Sequence, residues 1–114
     1  MTEKMETKDT VSDDEPIHQN VIGRVKWFNR KKGFGFICVV NPEHELNNTD
    51  LFFHYTSIKT ENFKILYPGE YVSFDIFKNE EEKWICNNIT GIYGNELLTD
   101  NTTYHYRITY KNKQ

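Results

Sequence analysis

Two segments carry residue types that could do chemistry, Gly33-Phe34-Gly35-Phe36 and Leu51-Phe52-Phe53-His54-Tyr55. The chemistry they suit is ring stacking rather than bond making. Along an extended strand the side chains alternate between two faces, so Phe34 and Phe36 share one face and Ile37 and Val39 the other. Same-face neighbours stand roughly 6–7 Å apart, near the reach between successive bases of an extended single strand. The glycines between the rings let a base or a backbone approach closely. Phe52 and His54 share a face in the same way, opposite Leu51 and Phe53. If the two strands lie side by side, Phe34, Phe36, Phe52 and His54 make one platform for nucleobases, and Trp27 and Lys26 extend it from the preceding strand. The competing reading is that all these rings are core. It holds for Phe28, Phe53 and Phe74, but for Phe34 and Phe36 it would leave Ile37 and Val39 in water. A departure from strict alternation is expected at Lys26-Trp27-Phe28, which leaves the direction of Trp27 less fixed than that of Phe34.

A net charge of −3 argues against a polyanionic ligand only until it is divided along the chain. The first twenty residues hold six acids against two lysines, a balance of −4 that leaves +1 for the remainder. Arg24, Lys26, Arg30, Lys31 and Lys32 fall in a stretch with no acid at all, and the local field steers a polyanion more than the total does.

The elements that must position these residues are short. Residues 1–20 are polar, acidic and without hydrophobic period, and are read as a disordered tail. Strands are expected over 22–29, 33–40, 51–55, 70–77 and 83–92. The turn at 30–32 is basic, the loop over 41–50 contains Pro42, the stretch 56–68 is irregular with room for a turn of helix, and the turn at 78–82 is charged. In the fourth strand Val72, Phe74 and Ile76 face one way, and Tyr71, Ser73, Asp75 and Phe77 the other. Five short strands, no helical pattern of ten residues and a total absence of alanine describe a small all-β barrel over 21–91. The remainder, 92–114, is a C-terminal extension. In it Tyr104, Tyr106, Ile108 and Tyr110 alternate with Thr103, His105, Arg107 and Thr109, a strand pattern that could pair with a barrel edge or with a second copy of the chain.

Five motifs in order carry a family resemblance: Gly23-Arg24-Val25-Lys26-Trp27-Phe28-Asn29, Lys32-Gly33-Phe34-Gly35-Phe36-Ile37, Asp50-Leu51-Phe52-Phe53-His54-Tyr55, Pro68-Gly69-Glu70-Tyr71-Val72-Ser73-Phe74 and Asn88-Ile89-Thr90. With them the chain resembles the cold-shock domain family, which implies a five-stranded antiparallel OB-fold barrel that binds single-stranded RNA and DNA. The resemblance implies that Lys26, Trp27, Phe34, Phe36, Phe52, His54 and Tyr55 contact the nucleic acid. It adds Phe63 as a further stacking ring, Lys32 and Lys64 as basic positions and Asn29 as a polar one. The family's cellular roles, RNA chaperone and regulator of transcription or translation, come with it. Three departures stand out. The loop over 38–49 is longer than in compact bacterial members, Cys86-Asn87 replaces small residues, and Trp84 has no counterpart, leaving it as an extra stacking group or a cap on the barrel. The segment 32–37 also resembles an RRM motif, but RRM domains need helices and an earlier partner motif that this chain lacks.

Other classes of function find little support. The four histidines, His18, His44, His54 and His105, are scattered, with no carboxylate pair, nucleophile–base grouping or metal-ligand spacing, so neither catalysis nor a cofactor nor a metal is expected. Cys38 and Cys86 lie in apolar runs and read as reduced thiols, a disulfide between them being the alternative. No run approaches the ~20 apolar residues that span a bilayer, and the N-terminus lacks a signal-peptide pattern, so a soluble cytoplasmic protein is expected, with nuclear access open. The sequons at Asn47, Asn88 and Asn101 are then chance matches. The second functional reading is a protein-interaction module that docks through 103–110. The acidic tail is read as a solubilising segment, with competition against nucleic acid for the basic turn as its alternative.

Overall fold

In the computed structural model, which describes residues 15–100, five strands close into a barrel. They are β1 (His18–Asn29), β2 (Phe34–Val39), β3 (Asp50–His54), β4 (Tyr71–Lys78) and β5 (Trp84–Gly91), ordered β1-β2-β3-β5-β4 around the barrel. β1 is long enough to serve two neighbours. Its first half pairs with β4 through Val21 opposite Phe74, and its second half pairs with β2 through Val25 opposite Ile37 and Asn29 opposite Phe34. Four of the five pairings are antiparallel, and the closure between β3 and β5 is parallel, with Phe52 opposite Ile85. Closure removes the exposed edges that an open sheet of this size would present.

Alternation builds the core. Ile37, Val39, Leu51 and Phe53 are sealed inside with Val21, Val25, Val72, Phe74, Ile76 and Ile89. Phe28 packs on this cluster and stacks on Phe53, ring centroids 5.5 Å apart. Between Val25 and Trp27 the β1–β2 register shifts by a bulge, the expected break in alternation that lets Trp27 face outward while Val25 and Phe28 serve the core.

The strand ends shift by a residue or so from those expected, and three differences go further. β1 begins at His18, inside the segment read as tail, because Ile17 donates its N–H to the Ile76 carbonyl (2.7 Å) and Asn20 donates its own to the Asp75 carboxylate (3.0 Å). Asn20 takes φ 54, a conformation that asparagine tolerates better than most residues, and polar residues before it hid the strand. Phe77, expected on the face opposite Val72, Phe74 and Ile76, is buried opposite Ile85, although it does not join the central core cluster. The chain beyond Gly91 also remains on the barrel, where Leu97 joins the core. The rest of the acidic tail and the alternating segment over 103–110, with the self-association drawn from it, lie outside the described residues.

The connections are held by side chains. Asn41 accepts the Ile22 N–H (2.7 Å) and Asn47 donates to the Asn41 carbonyl (2.8 Å), so the long β2–β3 loop is stapled to β1. In the β4–β5 turn the Asn79 side-chain oxygen accepts from the N–H groups of both Glu81 and Lys83. Neither cysteine forms a disulfide. Burial pushes the Cys86 thiol far above its ordinary pKa, and burial together with the neighbouring Asp50 carboxylate raises that of Cys38.

Candidate nucleic-acid interface

The β2–β3 ladder sets the centre of the site. Phe36 stands opposite Phe52, Phe34 opposite His54, and Gly35 opposite Phe53. Because Ile37, Leu51 and Phe53 point inward, Phe34, Phe36, Phe52 and His54 all emerge on the outer face, each partly exposed. A Cβ at Gly35 would lie 2.2 Å from the Trp27 carbonyl oxygen and 2.9 Å from the Phe53 ring. Only glycine therefore lets β1 and β2 come close enough for the Trp27 ring to reach those of β2. That ring, on a residue 42% exposed, lies 5.6 Å from Phe34 and 5.3 Å from Phe36. Phe52 in turn lies 5.6 Å from Phe34 and 5.9 Å from Phe36. Four rings, each in contact with two of the others, thus form a continuous apolar surface over the core.

The platform runs on past β3. His54 Nδ1 bonds to Thr56 Oγ1 (3.0 Å), which fixes the imidazole and leaves Nε2 as its remaining polar atom. The Tyr55 ring lies 4.7 Å from that of His54 and rests against the Gly33 backbone. From there a cleft opens between the basic turn Arg30-Lys31-Lys32 and the loop carrying Phe63, with Tyr55 on its wall. Phe63 is 66% exposed. At the other end of the platform a second cleft runs between Phe36, Asp50 and Phe52 and the β4–β5 turn.

The polar members of the expected set divide by what they already bond. Lys26 forms an ion pair with Asp50 (3.3 Å), both side chains about half exposed, so its charge at the platform edge is partly neutralised. The Asn29 side-chain oxygen accepts the Lys32 N–H (2.9 Å) and thereby shapes the basic turn. Lys64 donates from Nζ to the Ile58 and Thr60 carbonyls (3.1 and 3.2 Å), which commits it to the fold of its own loop. Lys32 is exposed on the cleft wall, as Lys64 is, and its N–H is the one that Asn29 accepts. Asp50, which sequence reading placed at the head of the third motif but not among the contact residues, sits beside the rings, opposite Cys38. Trp84 packs partly on the core, with Lys78 Nζ 4.7 Å from its ring centroid and the His18 ring 6.0 Å away, and it also lines the cleft shared with Phe36 and Phe52.

Among the described residues no group of three or more His, Cys, Asp or Glu side chains is placed to hold a metal ion, and no helix is long and apolar enough to cross a membrane. The outer face instead offers π surface beside cationic groups. A family model of the "Cold-shock" DNA-binding domain matches residues 21–92. The cold shock protein CspB of Bacillus caldolyticus is 48% identical over 65 residues, covering 57% of this chain and 89% of that protein. The major cold shock protein CspA of Bacillus cereus is 48% identical over 56 residues, covering 49% of this chain and 75% of its own length. A major cold shock protein of Streptococcus pyogenes serotype M1 is 46% identical over 54 residues, covering 47% of this chain and 72% of that one. Barrel, ring-bearing face and matched span agree, and the chain belongs to the cold-shock domain family of nucleic-acid-binding OB-fold proteins.

Proposed function

We propose that this chain binds single-stranded RNA or DNA by stacking successive bases on the outer face of β1, β2 and β3, as a non-catalytic module. The observation that carries the reading is the contact chain Trp27–Phe34–Phe52–Phe36, an apolar surface left at the exterior of a barrel whose other large side chains are mostly sealed. Exposed contiguous aromatic surface of this kind marks a binding site. Stacking is tolerant of sequence because every base has a π face, and each stacked base contributes about 1–3 kcal/mol. Tyr55 and Phe63 continue the path, and Lys26, Lys32 and the rest of the basic turn supply the field along the phosphates. Asn29 acts by shaping that turn, and Lys64 by holding its loop.

A protein that takes up unpaired bases keeps RNA from pairing with itself, so the cellular role that follows is an RNA chaperone or a regulator of transcription or translation in the cytoplasm. Titration with an oligonucleotide, as single strand and as duplex, tests the binding mode. The single strand should bind more tightly, because a duplex hides its base faces, and its affinity should fall with salt at a slope of about −0.7 per phosphate contact. Tighter binding to the duplex would overturn the proposal.

A further inference from the structure

The loop between Ile58 and β4 carries Phe63, yet within 59–70 it has no strand pairing of its own. The barrel pins its two ends, where Lys59 donates to the Ile89 carbonyl and Gly69 to the Val25 carbonyl, and Leu66 buries in the core. The stretch around Phe63 is held in addition from beyond the barrel. At Gly91 the chain turns back so tightly that a Cβ there would lie 1.9 Å from the Asn95 carbonyl oxygen. Leu97 then buries in the core, and the next three residues reach across to the loop. The Leu98 N–H donates to the Glu70 carboxylate (2.7 Å), whose other oxygen accepts the Tyr67 N–H (3.0 Å). Thr99 is buried and donates from Oγ1 to the carbonyl of Phe63 itself (2.9 Å). The Asp100 carboxylate accepts from Thr60 Oγ1 (2.5 Å) and Asn62 Nδ2 (2.6 Å). Burial alone would raise the Asp100 carboxyl, but these bonds and one from the Leu97 backbone outweigh it and hold it below the ordinary range.

We propose that residues 97–100 are a strap that presets the Phe63 loop for nucleic acid, with Thr99 and Asp100 as positioning residues that act through Phe63. The strap begins past the end of the span shared with the family, at residue 92. A loop already ordered loses less conformational freedom on binding than one that must be fixed by the ligand. Three of the bonds fall on Thr60, Asn62 and Phe63, the residues that set where the Phe63 ring emerges, rather than on the platform strands. The inference rests on the reading that Phe63 stacks on a base.

The experiment is a double-mutant cycle in the full chain between Thr99→Val with Asp100→Ala and Phe63→Ala. Binding is measured to a long oligothymidine spanning platform and loop and to a short one confined to the platform. Thr99→Val alone, which is nearly isosteric, serves as the variant that leaves the barrel least disturbed, and thermal unfolding reports the fold. The strap variant should weaken the long ligand by roughly three- to tenfold, the scale of ordering a side chain and its loop on binding, leave the short one unchanged, and cost nothing further once Phe63 is alanine. Loss on Phe63→Ala with no loss on either strap variant overturns the strap and spares the stacking reading. Equal loss on both ligands, or additive loss in the Phe63→Ala background, also overturns it, since a general weakening of the fold would do that. No loss on Phe63→Ala itself removes the ring from the interface and the strap's role with it.

Discussion

Phe36 faces Phe52 across the β2–β3 ladder with ring centroids 5.9 Å apart and planes at 77°. This edge-to-face pairing lies on the outside of the barrel, while the neighbouring pairs, Ile37 with Leu51 and Gly35 with Phe53, point into it. The same two strands therefore supply a dry core on one side and an uncovered aromatic surface on the other. Aromatic pairs of this geometry are favourable beyond the area they bury, so the platform keeps its shape without ligand.

Phe34→Ala and Phe52→Ala should each weaken single-strand binding by about tenfold or more, the lower end of what one stacked base contributes. Both side chains are outside the core, so far-UV circular dichroism and the cooperative unfolding transition should persist. Unchanged affinity in both variants would show that the bases do not lie on these rings.

Lys32 and Lys64 are both basic positions of the expected interface on the cleft wall, but Lys64 has its Nζ bonded to backbone carbonyls of its own loop. Lys32→Gln should reduce the slope of log affinity against log salt by about 0.7, one phosphate contact on a single strand. Lys64→Gln should leave the slope nearly unchanged and lower thermal stability instead, because the Ile58 and Thr60 carbonyls lose their donor. Equal changes of slope for the two would contradict the division.

Gly35→Ala should destabilise the barrel by about 1–3 kcal/mol or more, the scale of overpacking a filled interior. The obstructing atoms at 2.2 and 2.9 Å are the Trp27 carbonyl oxygen and the Phe28 Cα, which are backbone and cannot swing aside. A fall in the urea midpoint with an unchanged slope would be the signature. The Trp27 ring would be displaced with its strand, so binding should fall in the same variant.

The outward placement of Phe34 and Phe36 was legible in the sequence because strand alternation divides them from Ile37 and Val39 by geometry alone, and the five motifs located the barrel. The bulge falls where sequence reading expected a break in alternation, at Lys26-Trp27-Phe28. The roles of Asn29 and Lys64 were not legible, because residue type says what a side chain can donate or accept but not whether its own backbone has already claimed it. Nor was the binding of 97–100 to the loop of Phe63. Those contacts join residues 28 to 40 apart in the chain, and Glu70, Thr99 and Asp100 fall in no periodic pattern. The start of β1 was hidden by Gln19 and Asn20, which contribute strand backbone and no apolar signal.

Glu70 provides a test of that unforeseen contact by pH. It is buried at 6% exposure, and its two carboxylate oxygens accept the N–H groups of Tyr67 and Leu98. Burial raises its pKa, with the two hydrogen bonds opposing and the Asp100 charge adding to the rise. A carboxyl raised in the folded chain takes up its proton before the unfolded chain does. Its contribution to stability therefore grows as pH falls through the folded value and levels off below the ordinary glutamate range. Glu70→Gln abolishes this titration, so the stability of the wild type relative to the variant should increase as pH is lowered from 7 towards 4. Glu70→Ala leaves both N–H groups without the acceptor and should cost about 1–3 kcal/mol for each that stays buried and unpaired. Urea unfolding of the three proteins across that pH range measures both effects. A wild-type-to-Gln difference that shrinks on acidification would mean that the carboxyl is held low, by the hydrogen bonds, rather than high by burial.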